Sequence, residues 1–264
     1  MTDLKTDSMN EPLNEVINEI INETVDVNLW PQVISFKSFN LQMKMSTEEL
    51  YTQLYEQYHC SIRNKRIAVK NLQNICESTF LLANEVGFQA MTLRQLSQQT
   101  GMSMGGLYAY IKSKDDLAEL IHRFLNKYCI DKIDLLVSNE LTADKKLIAL
   151  IHAHVYLSEL MQPWFYFTYM ESKNLPKTHK NFAIKSELSM ENLLLETMND
   201  GLDSGIFNIK LSKPEDTQLA ASLIKAMLQD WYLKRWKYKK RKISADDYAS
   251  HVVKFAFGYL NRTQ

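Results

Sequence analysis

The chain has few glycines and prolines, which interrupt helices, and few cysteines, which cross-link small folds. Its 264 residues include only 7 glycines and 5 prolines. Many short strands would need such turn residues at regular intervals, so their scarcity argues against a β-rich protein and predicts an all-α fold. The three cysteines, Cys60, Cys76 and Cys129, are odd in number and include no C-x-x-C pair. We therefore expect neither a disulfide framework nor a zinc site, and a reducing, cytoplasmic location.

Long apolar runs and catalytic signatures are also missing. Residues 1–12 carry three acids and no apolar run, and no stretch approaches 18 consecutive apolar residues, so neither a signal peptide nor a membrane anchor is expected. The chain has no G-x-S-x-G, P-loop, Rossmann or H-E-x-x-H motif. His152 and His154 stand two apart, a spacing that turns helical side chains in different directions, so a shared metal is not expected. These absences predict a non-enzyme without metal or cofactor.

The charge of the chain is zero overall but unevenly distributed. Residues 1–60 hold three basic and ten acidic residues, a net charge of −7, whereas residues 61–118 hold seven basic and four acidic, a net charge of +3. The second segment is therefore the candidate for binding a polyanion. The first is an acidic extension whose role the sequence leaves open.

Helix starts and stops can be read from capping patterns. Four segments begin with a serine or threonine whose hydroxyl can accept a hydrogen bond from the backbone amide of the third helical residue. These residues are Ser46, Thr92, Ser113 and Ser244. Apolar spacing predicts further helices over 13–27, 62–86, 143–161 and 185–199, and one more starting at Ser212. Two short helices separated by a turn at Gly101 and framed by two long ones indicate a helix-turn-helix.

One continuous pattern is more specific than these local signals. It reads Phe80-x6-Gly87-Phe88-x3-Thr92-Leu-Arg-Gln-Leu-x4-Gly101-Met-Ser-x2-Gly106-Leu-Tyr108-x-Tyr110-Ile-x-Ser113-Lys114-x2-Leu117. This pattern resembles the DNA-binding domain of the tetracycline-repressor (TetR) family over roughly residues 63–125. The resemblance implies a helix-turn-helix domain over 61–125 and a helical effector-binding and dimerisation domain over 126–264. The acidic extension over 1–60 is atypical for the family.

The resemblance also implies which residues contact double-stranded operator DNA. They are Thr92, Arg94, Ser103, Met104, Gly105, Gly106, Tyr108, Tyr110 and Lys114. Independently of the resemblance, the small residues of 103–110 suit a recognition helix, because they let the backbone approach base pairs in the major groove. Four of these positions also have a structural alternative: close helix packing for the two glycines, half-burial for Tyr108 and a solvated charge for Arg94. Few of these side chains can donate to bases, so part of the specificity is expected to come from DNA shape.

In the C-terminal half, an aromatic segment suggests an effector pocket. The candidate lining residues are Met161, Trp164, Tyr166, Phe167, Tyr169, Met170 and Trp231, with core packing as the alternative for each. Such walls favour a small apolar effector, for example an acylated metabolite. Apolar stripes over 219–231 and 248–259 predict a homodimer interface, with burial inside one subunit as the alternative.

The sequence therefore predicts a dimeric, ligand-responsive transcriptional repressor. Two alternatives remain open at this point: a helical protein-interaction module that acts through the acidic extension, and a helical enzyme. The basic run over 234–242, with seven basic residues in nine, is expected to be a solvated connection rather than a phosphate site.

Overall fold

The computed structural model describes residues 30–31, 33–43, 45–58, 62–137, 141–174, 177–209 and 215–261. Within them the chain is helical, as the sequence predicts. The helices are α1 (Phe36–Met43), α2 (Thr47–Gln57), α3 (Lys65–Val86), α4 (Leu93–Thr100), α5 (Met104–Tyr108), α6 (Lys114–Leu136), α7 (Ala143–Leu160), α8 (Gln162–Glu171), α9 (Lys177–Asp203), α10 (Glu215–Leu233), α11 (Arg235–Lys240) and α12 (Ala245–Leu260). A single 3₁₀ turn, Ser172–Asn174, follows α8.

All four predicted capping residues begin helices. Thr92 and Ser244 form complete capping boxes, in which the cap hydroxyl accepts from the third backbone amide and the third side chain accepts from the cap's own amide. Ser46 and Ser113 accept from the amides of Glu49 and Asp116. These bonds satisfy amides that have no partner inside the helix, so they fix where each helix starts.

Some predicted elements differ from the structure. The predicted helix 185–199 is part of the longer α9, and the basic run 234–242 contains a short helix, α11. The predicted helix over 13–27 and the predicted cap at Ser212 lie outside the described residues.

Part of the acidic extension is packed into the fold. Trp30 is 3% exposed, and its indole nitrogen donates to the carbonyl of Leu136 at 2.8 Å. Helix α1 packs against α7, and α2 packs against α3. Residues 30–58 therefore bridge the helix-turn-helix segment and the C-terminal helices, instead of forming a separate appendage. The division at residues 60 and 125 stays a prediction.

The C-terminal helices pack around α7. This helix contacts α9, α10 and α12 and is buried along most of its length, including His152 and His154. Helix α6 contacts α8 and α9, so it runs from the helix-turn-helix into the C-terminal core. No helix among the described residues is long and apolar enough to cross a membrane.

Candidate nucleic-acid interface and effector cavity

The turn between α4 and α5 is held by local and long-range hydrogen bonds. Gly101 ends α4 with a left-handed backbone (φ 70°, ψ 10°), which glycine adopts without steric cost. The amide of Asn74 on α3 donates to the carbonyl of Thr100 at 2.8 Å, and the hydroxyl of Ser97 donates to the carbonyl of Met102 at 2.6 Å. These bonds fix α5 on the α3–α4 framework, which is the arrangement of a helix-turn-helix.

Most of the residues predicted to contact DNA lie on the surface of this unit. Thr92, Arg94, Ser103, Gly105 and Tyr108 are exposed, and Met104 and Gly106 are half-buried. Tyr108 is 52% exposed, which excludes the half-buried packing considered for it. The apolar residues of the same helices, Leu96 and Leu107, are fully buried. The unit thus has an apolar inner side and a polar, glycine-containing outer side.

The two glycines of α5 differ in their surroundings. A methyl group added at Gly105 would meet no atom within 4 Å, so close helix packing does not explain a glycine there. A methyl group at Gly106 would lie 3.3 Å from the hydroxyl of Ser103, the residue that caps α5. Gly106 is therefore partly explained by the cap, whereas Gly105 leaves an open backbone on the surface.

Two predicted DNA contacts have structural roles instead. Tyr110 is 4% exposed, and its hydroxyl accepts from the amide of Asn71 at 2.9 Å, so it is part of the domain core. The ammonium of Lys114 donates to three carbonyls, those of Phe88 at 3.0 Å, Gln89 at 2.8 Å and Met91 at 2.7 Å. Lysine has only three donors, so this side chain is fully used in holding the loop before α4. We do not include either residue in the candidate interface.

A cavity of about 590 Å³ lies among helices α6 to α10. Its walls are largely apolar, with Leu125, Ile130, Ile133, Leu157, Met190 and Leu193 among them. The volume falls within the usual range for pockets that hold small organic ligands. Polar and charged side chains also line it, including His122, His154, Thr168 and Lys225.

Of the predicted effector residues, only Tyr169 lines this cavity. Four others are buried in the core, each at most 4% exposed: Met161, Trp164, Phe167 and Trp231. Trp164 packs on Phe80 and Phe124, with ring centroids 5.2 Å away in both cases. Tyr166 and Met170 are half-buried and exposed, respectively, and neither lines the cavity. These six residues do not line this cavity, and their surroundings agree with the alternatives of core packing or exposure.

Burial controls the ionisation of the cavity residues. Desolvation lowers the pKa of His122 to about 4 and that of His154 to about 3, the latter with a smaller contribution from the nearby charge of Lys225. Both imidazoles are therefore neutral at neutral pH. Burial also raises the pKa of the Cys129 thiol to about 12, so the wall has a thiol there and not a reactive thiolate. Among the described residues, no group of three His, Cys, Asp or Glu is placed to hold a metal ion.

The two stripes predicted to form a dimer interface divide between core and surface. Trp231 and Val252 are buried within the subunit. Leu219 and Leu223 on α10 are 60% and 57% exposed, and Phe255 and Tyr259 on α12 are 70% and 52% exposed. Helices α10 and α12 pack against each other, so these four exposed side chains lie on neighbouring helices, and we call them the exposed apolar face.

Comparison with known proteins assigns the helix-turn-helix to a family. Residues 75–121 match the family model described as bacterial regulatory proteins, tetR family. The helix-turn-helix of this chain is therefore similar to that of the tetR family of bacterial regulatory proteins. The HTH-type transcriptional regulator PksA of Bacillus subtilis is 24% identical over 103 residues, 38% of this chain, and the match spans half of that regulator's length.

Solved TetR-family structures share the fold over about three quarters of the chain. A tetR-family regulatory protein from Rhodococcus RHA1 aligns with a TM-score of 0.65 at 19% identity, covering 74% of this chain and 99% of that one. The ketosteroid transcriptional regulator KstR2 of Mycobacterium tuberculosis aligns with a TM-score of 0.63 at 17% identity, covering 73% and 95%. AibR, solved with isovaleryl coenzyme A and operator DNA, aligns with a TM-score of 0.61 at 16% identity, covering 73% and 100%.

The polar residues of the cavity could not be predicted from the sequence. His122, His154 and Lys225 lie on three different helices and are brought together only by the tertiary fold. Their one sequence signal is a polar residue among apolar neighbours on a helix, as at His152 and His154, and buried histidines give the same signal without any ligand.

Proposed function

We propose that this chain is a ligand-responsive transcriptional repressor that binds a palindromic operator as a homodimer through its TetR-type domain. The observation that carries the proposal is the outer side of α4 and α5. There Arg94, Ser103, Gly105 and Tyr108 are exposed on a unit whose inner side is buried and whose turn is fixed by hydrogen bonds.

Contacts to DNA divide between backbone and bases. Arg94 and Lys112 are both exposed and supply positive charge for phosphates, and the exposed Tyr108 hydroxyl can contact the same DNA backbone. Ser103 and Met104 lie at the start of α5, where a recognition helix meets base edges. The open backbone at Gly105 lets the helix lie close to the groove floor.

Dimerisation is assigned to the exposed apolar face of α10 and α12. Contiguous apolar surface of this kind is typical of a protein interface, because leaving it in water costs free energy. A two-fold axis through this face pairs each helix with its copy and yields two recognition helices. On B-DNA their half-sites would be about 34 Å apart, one helical turn.

Helix α6 connects DNA binding with the cavity. Its cap, Ser113, follows the helix-turn-helix directly. Further along the same helix, six residues line the cavity: His122, Leu125, Asn126, Cys129, Ile130 and Ile133. A ligand that fills the cavity pushes on or locks the same rigid element that carries the DNA-binding unit. We expect an effector to release DNA by changing the spacing of the two recognition helices.

The test is operator selection followed by quantitative binding. Fragments of the source genome are selected on the purified full chain, and the recovered site is titrated over a series of salt concentrations. We expect palindromic fragments, and an affinity that falls steeply with salt as phosphate contacts release counterions. Arg94→Ala should weaken binding to all sequences alike and reduce the salt slope by about 1, as expected for a lost phosphate contact. Arg123→Ala, which removes an exposed arginine on α6, should change neither.

Recovery of no site above background, or equal losses for the two arginine variants, would contradict the proposal. The alternative of a protein-interaction module acting through the acidic extension has less support, because residues 30–58 are already packed on the fold.

A further inference from the structure

The cavity pairs an apolar wall with polar groups that the protein leaves unsatisfied. The Nε2 atom of His122, the Nδ1 atom of His154 and the hydroxyl oxygen of Thr168 are buried and have no hydrogen-bond partner. All three residues line the cavity. An unpaired buried polar atom costs about 1–3 kcal/mol, so native proteins rarely keep several in one place. Three beside a single cavity indicate that a ligand supplies the missing partners.

The cavity also holds a buried cation. Lys225 is 6% exposed, and its ammonium has an ion pair with Glu187 at 3.2 Å. The partner carboxylate is itself 51% exposed, and it also accepts from the amide of Gln229. A half-solvated carboxylate at this distance compensates a buried ammonium only partly. Lys225 is therefore available for a second, better-placed anion.

The residues that line the cavity carry a net positive charge, the same sign as the charge of Lys225. Lys173 and Lys225 are positive and Glu187 is negative, while both histidines are neutral at neutral pH because burial disfavours their charged forms. The described lining thus has a net positive charge with neutral hydrogen-bonding groups around it. Such a wall favours an anion over a cation.

We infer that the effector is an organic carboxylate with an apolar body, whose head group binds Lys225 and His154 and whose body lies against Leu125, Ile133 and Leu157. The Lys225 ammonium donates to one carboxylate oxygen, and the imidazole N–H and the Thr168 hydroxyl are available to the other. This inference rests on the proposed function, since it names the ligand class of the same cavity.

Matched probes separate the head group from the body. Octanoate, octan-1-ol and octyltrimethylammonium share one apolar chain and carry a negative, a neutral and a positive head. The pair 2-naphthoate and 2-naphthol repeats the comparison with a rigid body. Calorimetric titration of the full chain at neutral pH should show at least one acid binding about tenfold or more tightly than its alcohol, and no binding of the cation.

The variant Lys225→Met keeps the apolar stem and removes the charge. It should abolish the preference for the acid and leave the weaker affinity for the alcohol unchanged. Lys127→Met is the matched control, because Lys127 also pairs with a carboxylate, that of Asp131 at 2.8 Å, but on the exposed surface. The control should bind the acid like the unmodified chain, and thermal unfolding reports whether each variant is folded.

Equal affinity for acid and alcohol, preference for the cation, or failure of both acids to bind would overturn the inference. So would an unchanged acid preference in folded Lys225→Met. Operator binding is measured separately without any ligand. Loss of the head-group preference with intact operator binding refutes only the carboxylate, whereas absence of operator binding refutes the proposed function.

Discussion

The hydroxyl of Tyr58 donates to the backbone carbonyl of Tyr110 at 2.5 Å, which ties the end of α2 to the residue that closes the helix-turn-helix. Residues 30–58 thus touch both parts of the molecule, since Trp30 at their other end is bonded to Leu136. We expect Tyr58→Phe to reduce the free energy of unfolding by about 1 kcal/mol, the value of one hydrogen bond. It should also weaken operator binding, because α5 loses a support.

Chemical denaturation and DNA titration check both effects. Tyr166→Phe is a matched control, since Tyr166 is half-buried on α8 and lies neither in the helix-turn-helix nor on the exposed apolar face. If Tyr58→Phe binds operator as the unmodified chain does, the extension is a stabilising element without a role in positioning α5.

Two lysines two residues apart should respond differently to the same substitution. Lys114→Met removes the donors for three carbonyls before α4, so it should lower stability by about 1–3 kcal/mol. Lys112→Met removes an exposed charge, so it should leave stability unchanged and reduce both the affinity for DNA and its salt dependence. Thermal unfolding and salt-series titrations separate the two. If Lys114→Met instead lowered the affinity for DNA without lowering stability, Lys114 would belong to the DNA interface.

What the sequence predicts well is what is encoded within a few residues. Thr92 and Gln95 form a capping box, and Gly101 provides a left-handed turn, because both depend on residues at most four apart. The cavity could not be predicted in this way. Lys225 and Glu187 are 38 positions apart, and no local pattern reports that their helices meet.

The position of the aromatic segment over 164–170 also could not be predicted from local sequence. Its composition is equally compatible with a pocket wall and with a core. The outcome depends on distant partners, since Phe80 and Phe88 of the DNA-binding domain fill the space around Phe167, with ring centroids 5.5 and 5.0 Å away. The burial of Tyr110 could not be predicted for a similar reason, because its hydrogen-bond partner Asn71 is 39 positions away.

A substitution at Gly105 should affect protein stability and DNA binding in different ways. Alanine in place of glycine favours a helix by about 0.5–1 kcal/mol, and the added methyl group would meet no atom within 4 Å. Gly105→Ala should therefore unfold at the same or a higher temperature. Operator affinity should fall, because the methyl group occupies the surface that faces the groove. Unchanged affinity in this stable variant would show that the backbone at Gly105 does not approach the bases.

The exposed apolar face of α10 and α12 predicts the oligomeric state. Leu223→Glu and Phe255→Glu each place a charge on this face, where the side chains are 57% and 70% exposed in one subunit. Both variants should remain folded and become monomeric by light scattering or sedimentation. Leu135→Glu is the control, since Leu135 is 73% exposed on α6, away from this face. Dimers that persist in both variants would place the interface elsewhere.

The buried histidines predict how stability depends on pH. Their folded-state pKa values, about 4 for His122 and about 3 for His154, lie below the ordinary value of 6.5. The unfolded chain therefore binds protons first, so stability is complete above pH 6.5 and falls as the pH drops from 6.5 toward 4. At pH 5 each histidine should cost about 2 kcal/mol.

Denaturation at a series of pH values, with His122→Gln and His154→Gln as variants, tests this relation. Each substitution should remove part of the loss between pH 6.5 and 5, because glutamine keeps a polar side chain without a titrating ring. The remainder comes from the other buried histidines, including His152, whose pKa is also lowered by burial. A bound carboxylate opposes the same trend, since an anion beside His154 raises its pKa and so reduces the difference between folded and unfolded chains. The pH dependence of stability should therefore be shallower with saturating octanoate than without it, and an unchanged slope would place the bound acid away from both histidines.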